Sequence, residues 1–270
     1  MQSNITTFEL PGGWIGDDGR RRTRAEMRSF SGIEEDWVAT HAVPTATAVT
    51  QILESCLLRL EGFPSDQTLV RQLLVGDRDF LILQLRRITL GDVIHAIIGC
   101  PQCGQKMDVD FAVADVPVKT CPLLTANFSI ESGGRSIQFR LPTGGDQEAA
   151  LHFDEDSAVK VLMERCVLED GGKPLSSEDR VAVIDAMDRK APQIELELDL
   201  TCPECNLSFV APFDTTAFFL QEMRSGAKRL LRETHLLAFY YHWSEIEILG
   251  MSRGRRKAYL DLLSDELYRE

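Results

Sequence analysis

Cys100-Pro101-Gln102-Cys103-Gly104 and, 102 residues further on, Cys202-Pro203-Glu204-Cys205-Asn206 are the stretches on which the fold turns. An apolar-rich strand precedes each, at residues 93–98 and 194–200, and a residue that tolerates a left-handed backbone, Gly104 or Asn206, closes each. Beyond the first, Met107, Val109 and Phe111 alternate with Lys106, Asp108 and Asp110; beyond the second, residues 207–213 supply a return strand. Alternation on both sides of a tight turn reads as a β-hairpin. The chain thus repeats one unit, a hairpin with a Cys-x-x-Cys knuckle at its tip.

Two such knuckles are the sequence form of a four-thiolate zinc site, because tetrahedral zinc takes four ligands at about 2.3 Å and each pair offers two sulfurs one tetrahedral edge apart. Cys100, Cys103, Cys202 and Cys205 are the candidate ligands, and structural Zn2+ is the expected cofactor. The 98 residues between the pairs exceed the usual ribbon spacing of about 15–20, so the ribbon is split by a large insertion. Four thiolates leave the metal no open position for water and hence no hydrolytic role. An iron–sulfur cluster also takes four thiolates, although no electron-transfer neighbourhood accompanies them. A thioredoxin-type redox pair needs one motif in a β-α-β setting, which is missing.

Among 270 residues, 44% are hydrophobic and 26% charged, the profile of a globular chain rather than a collagen, a disulfide mini-scaffold or a disordered tail. Acids outnumber bases 42 to 29, and the net charge of −13 repels phosphate backbones. Seven cysteines, an odd total, argue for a reducing compartment. No apolar run reaches the roughly 18 residues of a membrane span; the longest, 81–99, is broken by Arg86, Arg87 and Asp92. The start lacks the pattern of a signal peptide, so a cytoplasmic protein is expected. Cys56 and Cys166 fall on apolar helical faces as small hydrophobes, whereas Cys121, beside Pro122, is expected nearer the surface.

Outward from the knuckles the chain divides into four parts. Residues 1–44, with Pro11-Gly12-Gly13 and Arg20-Arg21-Arg22, read as a flexible or partner-ordered arm whose basic cluster and nearby Trp14, Phe30 and Trp37 could dock on an acidic surface. Residues 45–92 form a helical subdomain: apolar residues at three- and four-residue spacing over 46–61, a second helix capped by Asp66, a third over 79–88, and a turn at 89–92. The split ribbon spans 93–213, with an αβ insertion over 112–192 that holds a hairpin at 128–141 and helices at about 147–169 and 177–189. Gly171-Gly172 and Pro174 break the first of these helices, and Ser176, Ser177 and Asp179 start the second. C-terminal helices over about 215–243 and 254–268 complete an α+β fold.

No phosphate loop, dinucleotide fingerprint, His-Glu-x-x-His or nucleophile elbow is present. Asp154-Glu155-Asp156 reads as a charged helix start rather than a calcium loop. His235 and His242 fall among aromatic residues on a packed or partner-binding surface, and His95 reads as structural within its apolar strand. The C-terminal stretch mixes apolar and basic residues, and Trp243, Ile246, Leu249, Arg255, Arg256 and Tyr259 are its candidate partner contacts.

Several longer stretches carry a resemblance: residues 74–81 (Leu-Val-Gly-Asp-Arg-Asp-Phe-Leu), 85–92 (Leu-Arg-Arg-Ile-Thr-Leu-Gly-Asp), the first knuckle with Asp108-Val109-Asp110-Phe111, then 243–249 (Trp-Ser-Glu-Ile-Glu-Ile-Leu) and 255–260 (Arg-Arg-Lys-Ala-Tyr-Leu). Over roughly residues 45–268 the chain resembles the T4-like bacteriophage baseplate protein family of contractile-tail phages and bacterial contractile injection systems. That resemblance implies a non-enzymatic hub component or hub-assembly factor whose partners are other baseplate, hub or spike proteins, and it transfers no catalytic residue. The alternative from the residues alone is a zinc-ribbon nucleic-acid-binding or regulatory protein, with Arg20–Arg24 and Arg253–Lys257 as its basic faces.

Overall fold

The computed structural model describes residues 5–121, 125–169 and 174–267. The expected Gly171-Gly172 helix break and Tyr268 at the end of the last helix lie outside them. The chain begins with β1 (Ile5–Ile15) and β2 (Arg21–Arg28), then α1 (Gly32–Thr40), α2 (Thr45–Cys56), β3 (Leu57–Leu60), β4 (Phe63–Pro64), α3 (Gln67–Gln72) and α4 (Val75–Leu90). The first knuckle joins β5 (Val93–Gly99) to β6 (Lys106–Ala112). The insertion contains β7 (Val118–Lys119), β8 (Asn127–Ser132), β9 (Arg135–Arg140), α5 (Gly144–Ala150), α6 (Glu155–Cys166), β10 (Val167–Glu169), α7 (Ser177–Lys190) and β11 (Gln193–Ile194). The second knuckle joins β12 (Glu197–Thr201) to β13 (Ser208–Pro212), and α8 (Thr215–Ser225), α9 (Ala227–Tyr241), α10 (Glu245–Leu249) and α11 (Arg253–Leu267) follow.

Residues 5–44 are not an arm. β1 and β2 pair antiparallel, β2 also pairs with β3, and β4 completes a four-stranded sheet. Leu10, Ala25, Met27 and Phe30 are buried in the main core with the apolar faces of α2 and α4. A register shift in β1 between Glu9 and Trp14 breaks the alternation that would have marked the strand, and the apolar residues that β2 buries are only the modest Ala25 and Met27, between charged neighbours of which Arg22 is itself buried. The basic cluster is used within the chain: Arg22 pairs with Asp18 at 2.6 Å and lies over the rings of Trp14 and Phe63, while Arg21 Nε donates to the Gly12 carbonyl.

The helix read as 46–61 ends at Cys56, because Leu57 and Leu60 are taken up by β2, opposite Met27 and Ala25. Asp66 caps α3 as expected, accepting from the Leu69 N–H. α4 starts four residues earlier than expected and supplies Leu81, Ile82 and Leu85 to the main core and Leu83 to a smaller core under the hairpins.

Within the insertion, β9 lies between β8 and β10, and Phe128, Ile137, Phe139, Met163 and Val183 form a separate core. The helix read as 147–169 is two, α5 and α6, followed by the strand β10, because residues 151–153 turn and Asp154 caps a new start. β7 pairs with β11 at the base of the insertion, Val118 opposite Ile194. The helix read as 215–243 is likewise two, parted at Gly226.

Candidate metal centre

The two hairpins are copies of each other down to their registers. In the first, Ile98 faces Met107 and Gly99 faces Lys106; in the second, Leu200 faces Phe209 and Thr201 faces Ser208, the same pairing shifted by 102 residues. Each knuckle closes on its first cysteine. Cys100 N–H donates to the Gln105 carbonyl at 2.8 Å and Gly104 N–H to the Cys100 carbonyl at 2.9 Å; Cys202 N–H donates to Leu207 and Asn206 N–H to Cys202, both at 2.9 Å. That return needs a positive φ at the fifth residue, 73° at Gly104 and 57° at Asn206, and Asn is among the few side chains that adopt it at low cost.

These turns bring all four sulfurs together. Cys100 Sγ lies 3.6 Å from Cys205 Sγ, Cys103 Sγ lies 3.6 Å from Cys202 Sγ, and all four are within 4.8 Å of one another. Ligands at about 2.3 Å in a tetrahedron stand about 3.8 Å apart, so the cluster has the dimensions of a four-thiolate metal site. It is the one group of metal-ligating side chains of this kind among the described residues.

The electrostatics point the same way. Backbone N–H groups of Cys103 and Gln102, with neighbouring thiols, hold the Cys100 thiol down at about 6. The Gln105 N–H acts to lower Cys103, yet desolvation and the surrounding sulfurs outweigh it and push that thiol up to about 12. One thiolate forms readily and the next is opposed by the first. A bound cation removes that conflict, since metal-coordinated thiols are deprotonated outright.

Little else ties the tips. The hairpins are separate two-stranded sheets, a form that is marginal alone in water. At their base, Phe111 meets Phe213 edge-on at 5.1 Å and Phe213 meets Phe218 at 5.0 Å, above Leu83, Ile94 and Ala96. Their outer faces are open. Val93, His95 and Ile97 are exposed, and His95 is a surface residue 2.8 Å from Asp110 rather than a core histidine.

The other candidate residues are dispersed. Cys56 and Cys166 are buried, and so is Cys121, whose N–H donates to the Pro11 carbonyl; β1 covers it, contrary to the exposure expected. Desolvation raises the Cys166 thiol to about 11, which leaves it inert. His235 stacks on Phe239, and His242 ends α9 with a left-handed backbone.

Of the six C-terminal candidates, Ile246 is 66% exposed. Trp243 and Tyr259 are half-buried against each other and Tyr241, with Arg255 over the Tyr259 ring, and Leu249 is half-buried beside Gly32. Arg256 is not a surface contact. It is 0% exposed and donates to Glu35 at 2.6 Å, to Glu233 at 3.0 Å and to the Met251 carbonyl at 2.8 Å, fastening α11 to α1 and α9. Its charge is consumed by two acids that sequence distance had hidden.

A second cluster was not anticipated: Gly76-Asp77-Arg78-Asp79, which in sequence stands only within the 74–81 stretch that carries the resemblance. Gly76 packs against the Pro192 carbonyl so closely that a Cβ there would lie 1.8 Å from the oxygen. Asp77 accepts from the N–H groups of Gly12 and Gly13 at 2.7 and 2.8 Å, and burial raises its carboxyl to about 6 despite those bonds. Arg78 donates to the Ala46 carbonyl and Thr50, and Asp79 accepts from Thr216. Four consecutive residues thereby fasten α4 to β1, α2, α8 and the end of the insertion. Three charged residues that share no periodic apolar pattern give no sequence signal for such a role.

A family model described as T4 bacteriophage base plate protein matches residues 26–220. Neither the curated proteins nor the solved structures contain a match. The matched region takes in both knuckles and the Gly76–Asp79 cluster and ends within α8, before α9, α10 and α11.

Proposed function

Because the chain belongs to the T4 bacteriophage base plate protein family, we propose that it is a non-enzymatic structural or assembly component of a contractile, phage-tail-like baseplate, acting as a hub component or hub-assembly factor. The family match across both knuckles is the observation that carries this reading. Cys100, Cys103, Cys202 and Cys205 hold one Zn2+, a redox-inert tetrahedral crosslink with no open coordination position. The chain's own part is to present four sulfurs from two matched turns and to stabilise their thiolates with backbone N–H groups. The ion then joins the two hairpins across the insertion, and its binding free energy becomes folding free energy for this module.

The partners are other baseplate, hub or spike proteins, assembled with this chain in the cytoplasm. Ile246, with the edges of Trp243, Leu249, Arg255 and Tyr259, supplies the C-terminal contact. No helix among the described residues is long and apolar enough to cross a membrane. The test is co-purification of the tagged full chain from particle-producing cells. Recovery of hub or spike proteins is expected. Recovery of the chain alone, or salt-sensitive retention on DNA, would overturn the reading in favour of a zinc-ribbon nucleic-acid binder.

A further inference from the structure

Two helices that lie apart in the fold present outward faces of opposite charge. On α9 the buried side is Leu230, Thr234 and Leu237, and the opposite side carries Lys228, Leu231, Arg232, His235 and Phe239, with Leu231 69% and Phe239 64% exposed. On α7 the buried side is Asp179, Val183 and Ala186, and the outward side carries Glu178, Val181, Ile184, Asp185 and Asp188, with Val181 59% exposed. Lys228 and Arg232 on one face and Glu178 and Asp185 on the other have no partner among the described residues. The Asp188 carboxylate accepts one bond from Gln193, and its backbone carbonyl accepts from Lys119 Nζ.

The charges on α9 are placed against its own interest. Lys228, Arg229 and Arg232 sit in the first two turns, with no acid in the first turn, where the positive end of the helix dipole disfavours cations. Glu233, the acid within reach, is occupied by Arg256 and Arg229. An outside acid would relieve this placement. On a chain of net charge −13, a cationic and aromatic helix face is also a local exception.

We propose that the α9 face of one copy docks on the α7 face of a second copy. Approached antiparallel, the cationic first half of α9 meets Asp185 and Asp188 in the second half of α7, and the two dipoles oppose favourably. Leu231 and Phe239 then cover Val181 and Ile184. Beside them opens an apolar cleft of about 550 Å³, lined in part by Ile184, Val159, Leu162 and Met187, with room for an aromatic side chain. The contact joins different faces, so it extends head to tail unless rotation closes it into a ring. One helix pair is a small interface, so the association is concentration-dependent.

Light scattering and sedimentation on the metal-replete full chain, over a dilution series at low and high salt, test this directly. The wild type is expected to self-associate and to weaken with salt. The variants Lys228→Glu/Arg232→Glu and Asp185→Lys/Asp188→Lys, with circular dichroism and metal content unchanged, should each associate at least about tenfold more weakly. Mixing them in equal amounts should restore association, because the acidic α9 of one then faces the basic α7 of the other. A wild type that stays monomeric throughout, variants that associate like wild type, or folded variants whose mixture stays monomeric would each overturn the proposal.

Discussion

The helical body and the two-hairpin arm are held together by different physics. The body is stitched by buried polar contacts that reach across the sequence, Asp77 to Gly12 and Gly13, Arg78 to Ala46 and Thr50, Arg256 to Glu35 and Glu233. Apolar burial surrounds these contacts, each buried Leu or Ile contributing about 1.5–3 kcal/mol. The arm has a small apolar base at Phe111 and Phe213 and four thiols at its tips. One region therefore folds on its own side chains, and the other gathers four thiols that the proposed ion would join. Perturbations should separate them.

The largest effect belongs to the body. Gly76→Ala sets a Cβ into the Pro192 carbonyl, and the backbone must part, at a cost of about 4 kcal/mol or more. Denaturant unfolding should show that loss, or soluble expression should fail. Next is Arg256→Ala, which leaves Glu35 and Glu233 only Arg229, at 4.0 and 3.4 Å, and should cost about 3–5 kcal/mol, whereas Arg256→Leu/Glu35→Met/Glu233→Leu, which removes these three charges together, should recover much of it. A stability for Arg256→Ala equal to wild type would mean that the cluster contributes nothing.

Chelation reverses the pattern. Stripping the metal should raise hydrogen exchange in β5, β6, β12 and β13, first at the tips, while α2 and α4 keep their protection. Equal loss of protection in α4 would join the two regions into one cooperative unit and break the comparison.

The smallest effect is titration within the body. Burial raises Asp77 and Asp79 from an ordinary 3.8 to about 6. Between these values the folded state holds more protons than the unfolded one, so their contribution to stability grows as pH falls from about 6 to about 4. Asp146 and Asp179 oppose this. Desolvation acts to raise Asp146, but Arg140, the Thr143 N–H and Arg165 together outweigh it, and Ser132, Ser176 and Arg135 lower Asp179. Both contribute stability above the ordinary carboxylate range that is lost as pH falls below it. Asp77→Asn should flatten the slope of unfolding free energy between pH 4 and 6, and an unchanged slope would remove Asp77 from the account.

The same division explains what could be read from residues. The knuckles were legible because a Cys-x-x-Cys between alternating strands and followed by Gly104 or Asn206 sets a tight turn from local residues alone. The N-terminal sheet was not, because β1 is irregular between Glu9 and Trp14 and the apolar residues that β2 buries are only Ala25 and Met27 among charges. Leu57 and Leu60 continued the helical spacing of α2 yet were captured by β2, a pairing set across some thirty residues. Arg256 looked like a docking residue since its acids, Glu35 and Glu233, are far away in the chain. Local chemistry was visible; nonlocal pairing of charge was not.

The most direct test of the central claim is the metal content of the purified full chain, by native mass spectrometry and elemental analysis, beside Cys103→Ala. The account predicts one zinc per wild-type chain, none retained by the variant, and a helical body still folded in both. Zinc retained in full by Cys103→Ala, or wild-type protein with four freely titrating knuckle thiols and no metal, would contradict it.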